Sequence, residues 1–151
     1  GGTGGGGGKG DEPTTEWKPS MSEKEATEWN KDSIIKETLY HGTTSNANKG
    51  IRKEGFRESD VGSFFTSSKD YANLYSDAKS DTLSVKINIK KIKSTDYEEM
   101  SKAGGSLTFS KMLKEAGYDG YKYIRSSSNS RIKPDTIVLF NKKTIVVLEN
   151  E

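Results

Sequence analysis

Leu39-Tyr40-His41-Gly42-Thr43-Thr44 joins a short apolar run to the only histidine of the 151-residue chain and closes it with a glycine. A run of this kind predicts a strand over 38–41. The residues after it predict a helix over 45–54, with Ala47 and Ile51 four apart on one face and Gly55 as a left-handed stop. Phe56 is then placed to pack back on the strand.

The same order recurs once on the C-terminal side. Gly62-Ser63-Phe64-Phe65-Thr66 predicts a strand over 63–66, and Ser68 is a candidate N-cap. A helix over 69–78 follows, in which Tyr71, Leu74, Tyr75 and Ala78 share one apolar face. From 82 to 89 the pattern changes to strict alternation, with Leu83, Val85, Ile87 and Ile89 inward and Ser84, Lys86, Asn88 and Lys90 outward. That is the pattern of a half-exposed antiparallel strand. Helical pieces are expected near 97–102 and 107–116, separated by Gly104-Gly105, and Gly117-Tyr118-Asp119-Gly120 turns into a strand over 121–124. Residues 125–133 carry four serines, an asparagine and no periodicity, and read as an exposed loop. Strands over 136–140 and 144–148, joined by a tight Asn141-Lys142-Lys143 turn, close the chain. Strand and helix do not alternate regularly to the end, so the fold class is α+β.

Upstream, Gly1 to Gly10 is nearly all glycine and the next ten residues are polar with two prolines. Such a composition buries too little apolar area to offset the entropy of ordering. Residues 1–20 therefore read as a flexible linker or tail, a tether to another module or an appended scar, and residues 21–151 as one domain. Ser22-Glu23-Lys24-Glu25 has the form of a capping box and opens a short helix that presents Ala26 and Trp29, as a lid or a buttress.

Composition removes several functions together. Without cysteine there is no disulfide, thiolate nucleophile or zinc-thiolate site, and a single histidine permits no His-pair metal centre. No G-x-S-x-G elbow supplies a serine for His41 to serve; a carboxylate-only magnesium or calcium site stays open, but no ligand spacing marks one and no metal is expected. No apolar stretch approaches the roughly 20 residues of a membrane span, and the N-terminal residues have no apolar core of a secretory signal. A soluble protein is expected. Residues 1–33 carry 7 acids and 4 bases, whereas residues 34–151 carry 15 acids and 20 bases, a net +5. This surplus suits an anionic ligand but is too dispersed to argue for nucleic acid, and Lys86, Lys90, Lys91 and Lys93 read as the outer face of a strand.

His41 is an ordinary core or surface residue or a functional one. Its neighbours favour function, because Gly42 lets a ligand approach the backbone and Thr43 and Thr44 lie at a helix start, where anionic groups are favoured. Phe65 and Tyr71 read as core, while Phe64 and Tyr75 are placed to sandwich a flat heterocycle.

Tyr40-His41-Gly42-Thr43, then Ile51-Arg52-Lys53-Glu54-Gly55-Phe56, then Gly62-x-Phe64-Phe65-Thr66 with Tyr75 eleven positions after Phe64, resembles the NAD-binding half of the ADP-ribosyltransferase fold. The similar branch is that of diphtheria toxin and poly(ADP-ribose) polymerases, named for a His-Tyr-Glu triad. Gly117-Tyr118-Asp119-Gly120 and the segment Thr136-Ile137-Val138-Leu139-Phe140-Asn141 are similar to those of ADP-ribosyltransferase domains of phage head and polyvalent proteins. The resemblance spans about residues 38–148. It implies a split, mostly antiparallel β-sheet core with flanking helices, and a transferase that cleaves NAD, releases nicotinamide and mono-ADP-ribosylates a protein. It also implies a cytoplasmic, virion-associated or effector-like location.

Residue by residue, the resemblance implies that His41, a catalytic as well as a cofactor-binding residue, hydrogen-bonds the adenosine ribose and that Gly42 offers backbone groups to the nicotinamide amide, with Thr43 and Phe65 also against the cofactor. Phe64 and Tyr75 would stack on the nicotinamide. Phe64 replaces the family's first tyrosine and has no hydroxyl to donate. Thr136 occupies the position of the family's glutamate, with Asp135 one residue before it. Asp135 is either the catalytic carboxylate, turned inward by a bulge or a strand-end start, or a surface turn residue. Glu149 is a further carboxylate beyond the last strand. The loop from Arg125 to Lys133 is where members of the fold read a protein acceptor, and Arg131 and Lys133 would meet an acidic target or the NAD pyrophosphate. The non-catalytic alternative is an NAD- or ADP-ribose-binding module of the same fold.

Overall fold

The alternating segment contains β4 (Thr82–Ile87), and its inward residues, Leu83, Val85 and Ile87 in the strand and Ile89 just beyond it, are fully buried. Burying each such side chain contributes roughly 1.5–3 kcal/mol, so this strand anchors the core. In the computed structural model, which describes residues 16–124 and 135–149, β4 lies inside an eight-stranded mixed sheet. The other strands are β1 (Ser20–Met21), β2 (Leu39–Gly42), β3 (Ser63–Thr66), β5 (Ile92–Ser94), β6 (Gly120–Ile124), β7 (Asp135–Leu139) and β8 (Ile145–Leu148). Their order is β1-β8-β4-β2-β3-β7-β6-β5. The edge pairs β1–β8 and β5–β6 are parallel and the remaining pairs antiparallel, which makes the protein α+β.

The sheet has a seam. β2 follows β4 over four positions and β3 follows β7 over four, but β2 and β3 meet only at Tyr40 opposite Thr66. The strands part beyond that pair, and His41 and Phe64 stand where they part.

The tight turn expected to make a hairpin of the last two strands does not do so. A 3₁₀ turn over Lys142–Thr144 separates β7 from β8, yet β7 pairs with β3 and β6, and β8 with β4 and β1. Four strand spacings at about 4.8 Å lie between them, roughly 19 Å across a flat sheet. Only Phe140, Asn141 and the three-residue 3₁₀ turn lie between them, and the three extended and three 3₁₀ steps from Leu139 to Ile145 reach only about 16 Å. The sheet must therefore curl, and it closes around a core with members from both sides of the seam, including Leu39, Phe65, Leu83, Ile137 and Val147. β8 is interior because both of its faces are covered: Val146 packs on Met21 and Ala26, and Ile145 and Val147 enter the main core.

The helices are α1 (Glu23–Trp29), α2 (Ser45–Glu54), α3 (Lys69–Asn73), α4 (Tyr97–Lys102) and α5 (Ser106–Glu115). The capping box on Ser22 is formed, and α1 seats Ala26 against β8 at the far side of the sheet, a buttress rather than a lid. The parallel strands β1 and β5 are too short to show a period, and the sequence does not reveal them. β1 also moves the expected tail boundary at residue 20. Trp17 Nε1 donates to the Ile145 carbonyl at 3.0 Å, Ser20 Oγ donates to the Arg52 carbonyl at 2.7 Å, and Val147 N–H donates to Pro19, so residues 16–20 belong to the domain. Among the described residues no helix is long and apolar enough to cross a membrane.

The helix expected over 69–78 ends at Asn73. Past that point the polar groups are drawn off sideways. Asp77 N–H donates to the Thr43 carbonyl, Ser76 Oγ lies 2.6 Å from Thr82 Oγ1, and Thr82 Oγ1 donates to Asn73 Oδ1. The expected apolar face is consequently not buried: Leu74 is 76% exposed and Tyr75 58%, and in α3 only Ala72 is buried.

Candidate functional site

At the parting of β2 and β3, the His41 imidazole fills the gap left by the missing ladder. Its ring sits edge-on to Phe56, centroids 4.9 Å apart, and tilted against Phe65 at 5.5 Å. Nδ1 lies 2.6 Å from the Phe64 carbonyl oxygen. A carbonyl only accepts, so Nδ1 carries the hydrogen and, in the neutral ring, Nε2 holds the free lone pair. Burial pushes the His41 pKa below its ordinary 6.5, opposed in smaller part by the Phe64 carbonyl. The neutral tautomer is thus the resting form at neutral pH, an acceptor fixed in position.

His41 and Phe64 are shared by two clefts. The first, about 320 Å³, runs from Gly42 and Thr66 across to Tyr71, Tyr75 and Thr136. The second, about 740 Å³, lies along α2 and its exit, with Gly55, Arg57, Glu58 and Lys142 in its wall. Phe64 is 41% exposed, while its neighbour Phe65 points to the opposite face of β3 and is buried in the core. Phe65 belongs to the core and is also among the residues that border the first cleft. Tyr71, also read as core, lines the first cleft, and its hydroxyl is 3.0 Å from that of Tyr75 with the rings 5.4 Å apart. The four-residue spacing of the two tyrosines was the available signal.

Gly42 has a structural reason of its own. A Cβ there would stand 2.0 Å from the Ala72 carbonyl oxygen, so the glycine lets α3 close on β2 as well as bordering the cleft. Thr43 does not line either cleft; its N–H donates to the Asp81 carbonyl and its carbonyl accepts from Asp77. The start of α2, expected to favour an anion, is already supplied with carboxylates. Ser45 N–H donates to Asp77, and Asp81, buried and held below the ordinary carboxylate range by hydrogen bonds from Asn48 and Ser45, ties the helix to β4.

In β7 the one-residue step decides which side chain faces the first cleft. Thr136 faces Thr66 across β3 and lines the first cleft. Asp135 projects from the other face, 3.7 Å from Lys122 Nζ, and lines neither cleft. No bulge turns it inward, because β7 stays in register with β6 from Leu139 to Asp135. Among the described residues no carboxylate lines the first cleft, and none are grouped to hold a metal ion. Glu149 N–H donates to the Met21 carbonyl, at the β1 edge of the sheet. Arg131, Lys133 and the rest of the loop 125–133 lie outside the described residues.

No family model matches this chain, and no curated protein matches it.

Proposed function

We propose that this domain binds NAD across the two clefts and transfers its ADP-ribose, with release of nicotinamide, to a protein acceptor. The single observation that carries this reading is that one histidine, with a tautomer fixed by the Phe64 carbonyl, stands between two clefts. Such an arrangement suits a ligand with two ring-bearing halves. His41 Nε2 would accept a ribose hydroxyl at the junction, the nicotinamide would lie between Phe64 and Tyr75, and the adenosine half would occupy the larger cleft. The curled, mostly antiparallel sheet with its seam supports an ADP-ribosyltransferase-like fold.

The chemistry asked of such a site is modest in covalent terms. Breaking the C1′–nitrogen bond expels neutral nicotinamide from a cation and leaves an oxocarbenium-like sugar, as in glycoside hydrolysis. Holding both rings rigid supplies the positioning, and negative charge near the sugar lowers the barrier. The second reading, a module that binds NAD or ADP-ribose without turning it over, is favoured by one specific observation: Thr136, not a carboxylate, faces the first cleft.

Incubation with nicotinamide-labelled NAD tests both. Release of label that His41→Ala abolishes supports the transferase, whereas calorimetric binding without release selects the module, and neither binding nor release overturns the NAD site. Thr136→Glu places a carboxylate on the cleft face of β7 and should raise release, while Asp135→Ala should leave it near the wild-type level.

A further inference from the structure

Phe64 borders a third cavity. It holds about 260 Å³ and lies beyond β3 toward β6, under α4 and the start of α5. Tyr121 forms a fully buried floor and Tyr123 stands beside it, rings roughly parallel at 6.0 Å, with Tyr97 and Met100 as the α4 wall. Tyr123 is opposite Thr136 in the β6–β7 register, and Thr136 lines the first cleft, so the two spaces abut along one row of the sheet.

Its lining has a definite chemistry. Four of its described residues are aromatic, one is methionine, the serines at 101 and 106 offer hydroxyls, and none is charged. Tyr97 is 64% exposed, an aromatic surface left open at the rim. A charged side chain brought here would lose water without gaining a counter-charge from the described wall, whereas a neutral ring would gain edge and face contacts. A polynucleotide would need cations for its phosphates, and the described lining supplies none.

We infer that this third cavity is a second ring-binding subsite, which takes an uncharged aromatic side chain of a polypeptide. It rests on the NAD reading only for its role, that of holding the protein acceptor beside the first cleft, with which this cavity shares Phe64. The ring-binding itself does not depend on that reading.

The test is an amide NMR titration of the full chain with N-acetyl-tyrosinamide, N-acetyl-lysinamide, N-acetyl-glutamate and uridine monophosphate. The tyrosine probe should shift the amides of Ser101, Gly105, Ser106 and Tyr123, and the charged probes should not. Tyr97→Ala removes an exposed ring and should weaken that binding roughly two- to ten-fold, the worth of one ring contact. Ser106→Trp plugs the mouth from an exposed position and should abolish the shifts, with nicotinamide binding in the first cleft unchanged in both variants. Equal shifts from the charged probes, tighter binding of the nucleotide, or unaltered tyrosine binding in Ser106→Trp would overturn the inference. A wild-type protein that binds the tyrosine probe but neither NAD nor nicotinamide would retain this subsite and sink the NAD reading instead.

Discussion

The two walls of the first cleft are built on different principles. The β2 wall is part of the core: β2 is matched to β4 over four positions, and His41 is packed between Phe56 and Phe65. The wall opposite, from α3 to Tyr75, buries one alanine and is held by short polar links, among them Tyr71 to Tyr75, Ser76 to Thr82 and Asp77 to Thr43. One wall is part of the core, and the other is joined to it mainly by hydrogen bonds. Substitutions in the first should cost stability, and substitutions in the second should cost ligand affinity with the fold retained.

The contrast is broken most severely in the core. Phe65→Ala should lower unfolding free energy by about 3–5 kcal/mol in denaturant titration, and with it His41 loses its packing. Leu74→Ala, in the opposite wall and largely exposed, should stay within about 0.5 kcal/mol of wild type. Comparable losses for the two would mean that both walls belong to one core. Gly42→Ala acts between the walls. Its Cβ meets the Ala72 carbonyl, so α3 must move away from β2, at about 1–3 kcal/mol of stability and with ligand affinity falling further than the Tm alone would suggest.

Protonation of His41 is the next perturbation in size. Its pKa is lowered on folding, so the unfolded chain binds the proton more readily and acid favours unfolding. Stability from this group is complete above its unfolded value of 6.5 and declines as pH falls from there through the lower folded value. NAD binding should follow the same direction, level above pH 6.5 and lost on the acid side, because a protonated Nε2 can no longer accept. Calorimetry from pH 8 downward checks this, and an affinity that rises with acid would contradict the assigned tautomer. A modest effect on affinity belongs to Tyr71→Phe, which deletes the hydroxyl bonded to Tyr75 and keeps the ring. It should weaken ligand binding by about 0.5–1.5 kcal/mol, and a smaller loss in a Tyr75→Phe background would show that the two hydroxyls are coupled.

The fold was legible wherever a local pattern repeats long enough to count. The alternation through β4, the box at Ser22 and the stop at Gly55 appear as read, because each is a short-range preference of the backbone. The end of α3 was not legible, since its period continues to Ala78 while distant partners, Thr43 and Thr82, take its polar groups. Nor was the separation of β7 from β8: a tight turn between two apolar strands has the form of a hairpin, and only the curl of the sheet assigns them to opposite sides of the seam.

The candidate site divides in the same way. The resemblance carried by the segments around His41, Phe64 and Tyr75 implied that the three would stand near one another, and they line one cleft. The sequence by itself did not determine which atom of His41 is free, which side of Gly42 is crowded, or whether Asp135 or Thr136 faces the cleft. Those depend on a carbonyl of β3, a carbonyl of α3 and the register of β7, groups brought to the site by tertiary pairing. A strand's two faces differ by one residue in sequence, and only its neighbours in the sheet decide which of them is inside.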